Sequence, residues 1–179
     1  TDTNTPVLMM GYFNSLLHLG PEHLVKNAIE VGVDGVIIVN LPPEEATDIQ
    51  PAFAAADLDL VFLIAPTTTE ARARSIVSVA GGFIYYVSLK GVTGAQHLEV
   101  ETVRKEVLRV QSYTPLPVMV GFGVKDPQDA RRIATYADGV VVGSALVRTM
   151  EALQSSERQI PGALEAQVRE LRDAMDESD

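Results

Sequence analysis

Six short apolar runs alternate with helix-patterned segments along this chain, and no other feature restricts its fold as tightly. The runs are Pro6–Tyr12, Val36–Val39, Leu60–Ala65, Phe83–Ser88, Val118–Val120 and Gly139–Val142. Between and after them lie segments with helical spacing: Pro21–Val31, Pro42–Ala56, a stretch from Thr67–Thr69 to Val79, Glu99–Gln111, Pro127–Tyr136, Ala145–Leu153 and Gly162–Met175. Strands that alternate with helices across short loops pair in parallel, each joined to the next by a right-handed crossover. The fold class expected is therefore α/β, with one sheet of six parallel strands.

Local signals mark the boundaries. Gly32 stands where a helix C-terminal glycine belongs. Pro42 and Pro43 open the next helix, with Glu44 and Glu45 in its first turn, where the helix dipole favours acids. Asp126 is placed to cap a helix with Pro127 at its first position. Val36–Val39 has no polar alternation, which predicts a strand buried on both faces.

A chain of 179 residues suffices for one well-buried domain, so residues 1–179 read as a single one. The net charge of −10 argues against nucleic acid, whose phosphates need a basic face. With no cysteine there is neither a disulfide framework nor a thiolate metal site. No apolar run approaches the roughly 20 residues of a membrane-spanning helix. His18, His23 and His97 have no metal spacing and read as surface or loop residues. Neither a metal nor a cofactor is expected.

Two parallel architectures accommodate six βα modules. One is an open Rossmann-like sheet, but the Gly-x-Gly-x-x-Gly fingerprint after the first strand is absent. The other is a (βα)8 TIM barrel, which takes about 250 residues when complete and would here be incomplete. The glycines favour the barrel. They cluster after the last strands, in Gly91–Gly94, Gly121–Gly123 and Gly143–Ser144, where barrel enzymes commonly seat a phosphate. Glycine lets backbone N–H groups approach an anion, and a helix N-terminus adds partial positive charge. Ordinary βα turns would carry glycines at the same places.

Five segments in order carry a resemblance. They are Thr5–Asn14 (TPVLMMGYFN), Gly32–Glu45 (GVDGVIIVNLPPEE), Phe83–Gly94 (FIYYVSLKGVTG), Gly121–Gly123 (GFG) and Ala137–Ala145 (ADGVVVGSA). Together they resemble the tryptophan synthase alpha subunit family, the indole-3-glycerol-phosphate lyases, from about Thr5 to the end. The resemblance implies a TIM barrel in which the six modules are the family's third to eighth, and it leaves the first two without counterpart. The family's reaction is a retro-aldol cleavage giving indole and glyceraldehyde 3-phosphate. Its general acid is a glutamate at the end of the second barrel strand, and an aspartate in the loop after that strand stabilises charge on the indole nitrogen. Neither has a counterpart in these residues. The expectation is an enzyme-family member with no catalytic residue of its own and impaired or absent turnover by itself. The alternative is a non-catalytic phosphate-binding or self-assembling module.

Binding residues carry over one by one. Gly94, Gly123, Gly143 and Ser144 match positions that hold the substrate phosphate. Tyr85, Phe122 and Ile37 match the wall around the indole, with Tyr12 on the same rim. Plain barrel packing would also place aromatics there. Thr93 matches a threonine that hydrogen-bonds the catalytic aspartate. Asn40 departs from an aspartate linked to signalling with the beta subunit. The implied partners are a small phosphate ester and the tryptophan synthase beta subunit, in the cytoplasm. A barrel short of two modules would expose apolar strand edges at Val7–Gly11 and Val140–Val142, inviting a second copy or a complementing fragment.

Overall fold

The structure is a computed structural model. It describes residues 4–14, 18, 20–87, 96–121 and 123–177. The strands are β1 (Leu8–Gly11), β2 (Gly35–Ile38), β3 (Asp59–Ile64), β4 (Ile84–Val87), β5 (Val118–Gly121) and β6 (Gly139–Val140). The helices are α1 (Pro21–Glu30), α2 (Pro43–Ala55), α3 (Glu70–Val77), α4 (Gln96–Gln111), α5 (Pro127–Ala134), α6 (Ser144–Ala152) and α7 (Ile160–Asp176), with a 3₁₀ turn at Glu157–Gln159. β6 is shorter than its apolar run predicts. Val141 still donates its N–H to the Val120 carbonyl at 2.9 Å, and then the chain leaves the sheet so that α6 can begin at Ser144.

The boundary signals act through identifiable hydrogen bonds. Gly32 takes a left-handed φ of +77° beyond α1. Its N–H reaches the Ile29 carbonyl at 3.0 Å and that of Val33 reaches Ala28 at 2.9 Å, the paired closure of a Schellman ending. Asp126 caps α5 by accepting the Asp129 N–H at 2.9 Å. Thr69 caps α3, accepting from Arg72 at 3.4 Å. Glu44 favours the start of α2 and also pairs with Arg72 of α3 at 3.0 Å.

The chain forms two compact units, Thr1–Tyr85 with Tyr113–Leu116, and Tyr86–Ser112 with Pro117–Asp179. In the first, β1, β2 and β3 pair in parallel, with Met10 beside Ile37 and Ile37 beside Val61. Val36, Ile38, Leu60, Phe62 and Ile64 line one sheet face and are buried. Leu24, Val25 and Ala28 of α1, Ala46, Ile49 and Phe53 of α2, and Ala73 and Ile76 of α3 are buried with them. Each fully buried large side chain contributes about 1.5–3 kcal/mol. In the second unit β5 and β6 pair in parallel. Val103, Val107 and Val110 of α4 and Ala130 and Ile133 of α5 are buried along with Val118 and Val120, and α7 packs against α5 and α6.

The strands run β1-β2-β3-β4 and then β4-β5-β6, in chain order throughout. A doubly wound sheet reverses its order at a switch point. No reversal occurs here, so the open Rossmann-like alternative gives way to the sequential order of a (βα)8 barrel.

Two strands begin with the same device. Asp34 donates its N–H to the Val7 carbonyl at 2.9 Å and accepts the Val7 N–H on Oδ2 at 2.7 Å. Asp138 donates to the Val118 carbonyl at 3.1 Å and accepts the Val118 N–H on Oδ2 at 2.8 Å. Asp34 thus clamps the residue just before β1 and Asp138 the first residue of β5, which fixes the register of each pair. The glycine that follows allows close approach. A β-carbon on Gly35 would lie 3.0 Å from the Asp59 Cβ and 3.1 Å from its carbonyl oxygen, and one on Gly139 would meet the Met119 sulfur.

Candidate functional site

The candidate phosphate-binding residues that the structure describes, Gly123, Gly143 and Ser144, lie in the second unit. Register pairs Met119 with Gly139 and Val120 with Val140. Carried three residues past the Val120–Val140 pair, the same offset makes Gly123 the counterpart of Gly143. The two glycines stand there for different reasons. Gly123 has φ +62°, a left-handed turn, with open space around a would-be β-carbon. Gly143 is the N-cap of α6, and no side chain caps that helix. Its carbonyl starts the helix by accepting the N–H groups of Leu146 at 3.0 Å and Val147 at 3.1 Å. The first N–H groups of an α-helix have no intrahelical acceptor, so those of α6 are available at its N-terminus. Ser144 is exposed beside them. Lys125 donates its N–H to Asp129 Oδ2 at 3.2 Å, which holds the turn after β5 against α5. Bare N–H groups at a helix N-terminus accommodate a phosphate or carboxylate.

The candidate wall residues that the structure describes, Tyr12, Ile37 and Tyr85, are in the first unit. Ile37 is buried between Met10 and Val61 in register. Tyr12, two residues beyond Met10, continues that face and is 62% exposed. Tyr85 is half-buried and alternates with the buried Ile84 and Tyr86 along β4. Burial raises the Tyr85 pKa above its ordinary 10.0. Asn40 Oδ1 accepts the Phe13 N–H at 2.7 Å, tying the chain after β1 to the end of β2. The sequence reading missed this structural duty of Asn40, whose partner is far away in sequence. Thr93, Gly94 and Phe122 lie outside the described residues.

Among the described residues no carboxylate directly follows a strand end. The nearest after β5 are Asp126 and Asp129. Asp126 caps α5, and Asp129 accepts the Lys125 N–H and pairs with Arg132. His18 and His23 are exposed, and no group of acids and histidines among the described residues could hold a metal ion. No helix among them is long and apolar enough to cross a membrane. The arrangement can bind an anion at the ends of β5 and β6; it offers no evident acid–base pair there.

Comparison with known proteins agrees with the order of motifs. The family model described as Tryptophan synthase alpha chain matches residues 1–176. The tryptophan synthase alpha chain of Alkalilimnicola ehrlichii is 45% identical over 175 residues, covering 98% of this chain and 64% of its own length. That of Marinobacter nauticus is 45% identical over 176 residues, covering 98% and 65%. The crystal structure of tryptophan synthase subunit alpha from Legionella pneumophila superposes with a TM-score of 0.87 at 36% identity, covering 99% of this chain and 65% of that one. The tryptophan synthase alpha-subunit structure from Pyrococcus furiosus gives 0.82 at 31% identity, covering 96% and 68%. The chain therefore spans about 64% of the length of the first of these relatives. Its fold is six βα modules of the TIM-barrel class, and the chain belongs to the tryptophan synthase alpha chain family.

Proposed function

We propose that these residues form the phosphate-binding part of the indole-3-glycerol-phosphate lyase reaction, which yields indole and glyceraldehyde 3-phosphate for tryptophan biosynthesis. The observation that carries this reading is the pairing of β5 with β6, which sets a left-handed glycine turn and an uncapped helix N-terminus at the ends of adjacent strands. Gly123, Gly143 and Ser144, with Gly94 from the preceding loop, hold the phosphate. Tyr12, Ile37, Tyr85 and Phe122 provide apolar wall for the indole. Retro-aldol cleavage needs a proton donor to the ring and a partner for the developing charge on its nitrogen. The described strand ends supply no carboxylate for either, so the 179 residues alone bind the ester and do not turn it over. The place of action is the cytoplasm, with the beta subunit as the family's partner.

The assay is indole release from indole-3-glycerol phosphate, with and without a beta subunit, alongside the melting temperature with glycerol 3-phosphate. The expected result is a ligand-dependent rise in melting temperature and no indole. Turnover by the chain alone would overturn the proposal that it lacks the proton-transfer groups.

A second copy is the proposed partner of the β1 edge. Val7, Leu8, Met10 and Tyr12 are all more than a third exposed there, and an apolar strand edge is a template for pairing. Sedimentation should give a dimer or larger species; a monomer at high concentration would contradict it.

A further inference from the structure

The second unit has a cavity of about 320 Å³ along the flank of α6, with Lys125, Arg148, Thr149 and Gln167 in its wall. Its charge sets it apart. The chain carries a net −10, and eight of its ten arginines are held in ion pairs among the described residues. Arg148 and Lys125 are exposed and take part in no ion pair among the described residues. Two uncompensated cations thus share one concavity in an acidic protein.

Their placement connects them to the loop ends. Lys125 is two residues beyond Gly123, in the turn after β5. Arg148 is one helical turn beyond Ser144, and residues four apart share a helix face. Ala145, in the first turn of α6, lines the same cavity. Thr149 Oγ1 is committed to Gln167 Oε1 at 2.8 Å, which leaves the Gln167 amide NH₂ as a further donor. The acids on the same turn are engaged: Asp126 in capping α5, Asp129 with the Lys125 N–H and Arg132.

We propose that Lys125 and Arg148 are positioning residues that draw the substrate's phosphate dianion to Gly123 and Gly143–Ser144 and hold it there. This rests on the reading of those loop ends as a phosphate seat, and adds the charge that the seat lacks. A helix N-terminus offers roughly half an elementary charge, whereas a phosphate monoester carries about −1.5 to −2 at neutral pH. In a chain of net −10 the remainder has to come from nearby side chains or from mobile ions. Exposed cations act through solvent, and salt screens them beyond about 8 Å at physiological ionic strength. Salt dependence is therefore their signature.

The test titrates glycerol 3-phosphate into the full chain and into the K125Q, R148Q and K125Q/R148Q variants. At low salt each single change should weaken binding about threefold and the double change about tenfold, the scale of electrostatic steering by single charges. The difference should close at about 0.5 M salt, where the Debye length has fallen to a few ångströms. R148K should bind as the unsubstituted chain does. Melting temperatures should not move, since neither side chain is in an ion pair among the described residues. Equal affinity of all variants at low salt would overturn the proposal and leave the seat standing. Failure of the unsubstituted chain to bind would overturn the seat and, with it, the role given to the two cations.

Discussion

β2 and β6 begin alike and end differently. Each is preceded by an aspartate that clamps the chain at the start of one neighbouring strand, and begins with a glycine that lets a neighbouring strand approach, β3 at Gly35 and β5 at Gly139. β2 then runs buried along its whole length, and Asn40 beyond it holds the backbone of Phe13. β6 pairs for only two residues, and its end passes through Gly143 into a helix that no side chain caps. The strand starts are devices of register. At the strand ends, one module uses its polar groups internally and the other presents them to solvent. The comparison separates residues that make the sheet from residues left free to bind.

The sharpest way to break the likeness of the starts is to add a methyl group at each glycine. Gly35→Ala sets a β-carbon against Asp59 Cβ and its carbonyl oxygen, neither able to swing away, and should destabilise by about 1–3 kcal/mol. Gly139→Ala meets only the end of the Met119 side chain, which is unbranched and can move, so its loss should be under about 1 kcal/mol. Urea melts of both variants check the order; equal losses would mean that the glycines serve something other than close approach.

Removing the clamps should reveal a second asymmetry. Asp138→Ala strands the N–H of the fully buried Val118 and frees Gln111, whose amide also donates to Asp138 at 3.1 Å. A loss of about 1–3 kcal/mol follows for an unsatisfied buried donor. Asp34→Ala leaves the N–H of Val7, a residue 52% exposed, free to meet water, and should cost less than about 1 kcal/mol. Hydrogen exchange at Val118 and Val7 reports each clamp directly.

The smallest effect concerns the core of the second unit. Tyr86 is buried, and its hydroxyl has no hydrogen-bond partner among the described residues. Burial, and after it the Glu106 carboxylate, push its pKa from 10.0 up to about 12. The folded chain therefore holds this proton more tightly than the unfolded one. The resulting stability is fully present below pH 10 and drains away as pH rises through 10 towards 12. Tyr86→Phe should be neutral or stabilising by up to about 1 kcal/mol at neutral pH. It should also lessen the alkaline loss, with Tyr85 and Tyr136, both raised by burial, accounting for what remains. Melting scans from neutral to alkaline pH distinguish the two proteins.

What could be read from the residues alone follows the range of the interactions. Gly32, the Pro42–Pro43 pair, Thr69 and Asp126 act within a turn of their own position, so the helix limits were legible. Continuous apolar runs gave the strands, and their order with the helices gave the parallel sheet. Asp34 and Asp138 were not legible as clamps, because their partners are brought near only by strand pairing. Nor was the shared cavity of Lys125 and Arg148, whose residues belong to different βα modules. Gly123 and Gly143 look the same as letters; only backbone geometry separates a left-handed turn from a helix cap.

The central claim is that the ends of β5 and β6 seat a phosphate group. Its most direct measurement is the shift of assigned backbone amide resonances as glycerol 3-phosphate is added to the intact chain. The account predicts saturable shifts greatest at Gly123, Gly143, Ser144 and Ala145, with Asp34 and Gly35 unmoved. Shifts that never saturate, or that are no larger at these four amides than elsewhere in the chain, would contradict it.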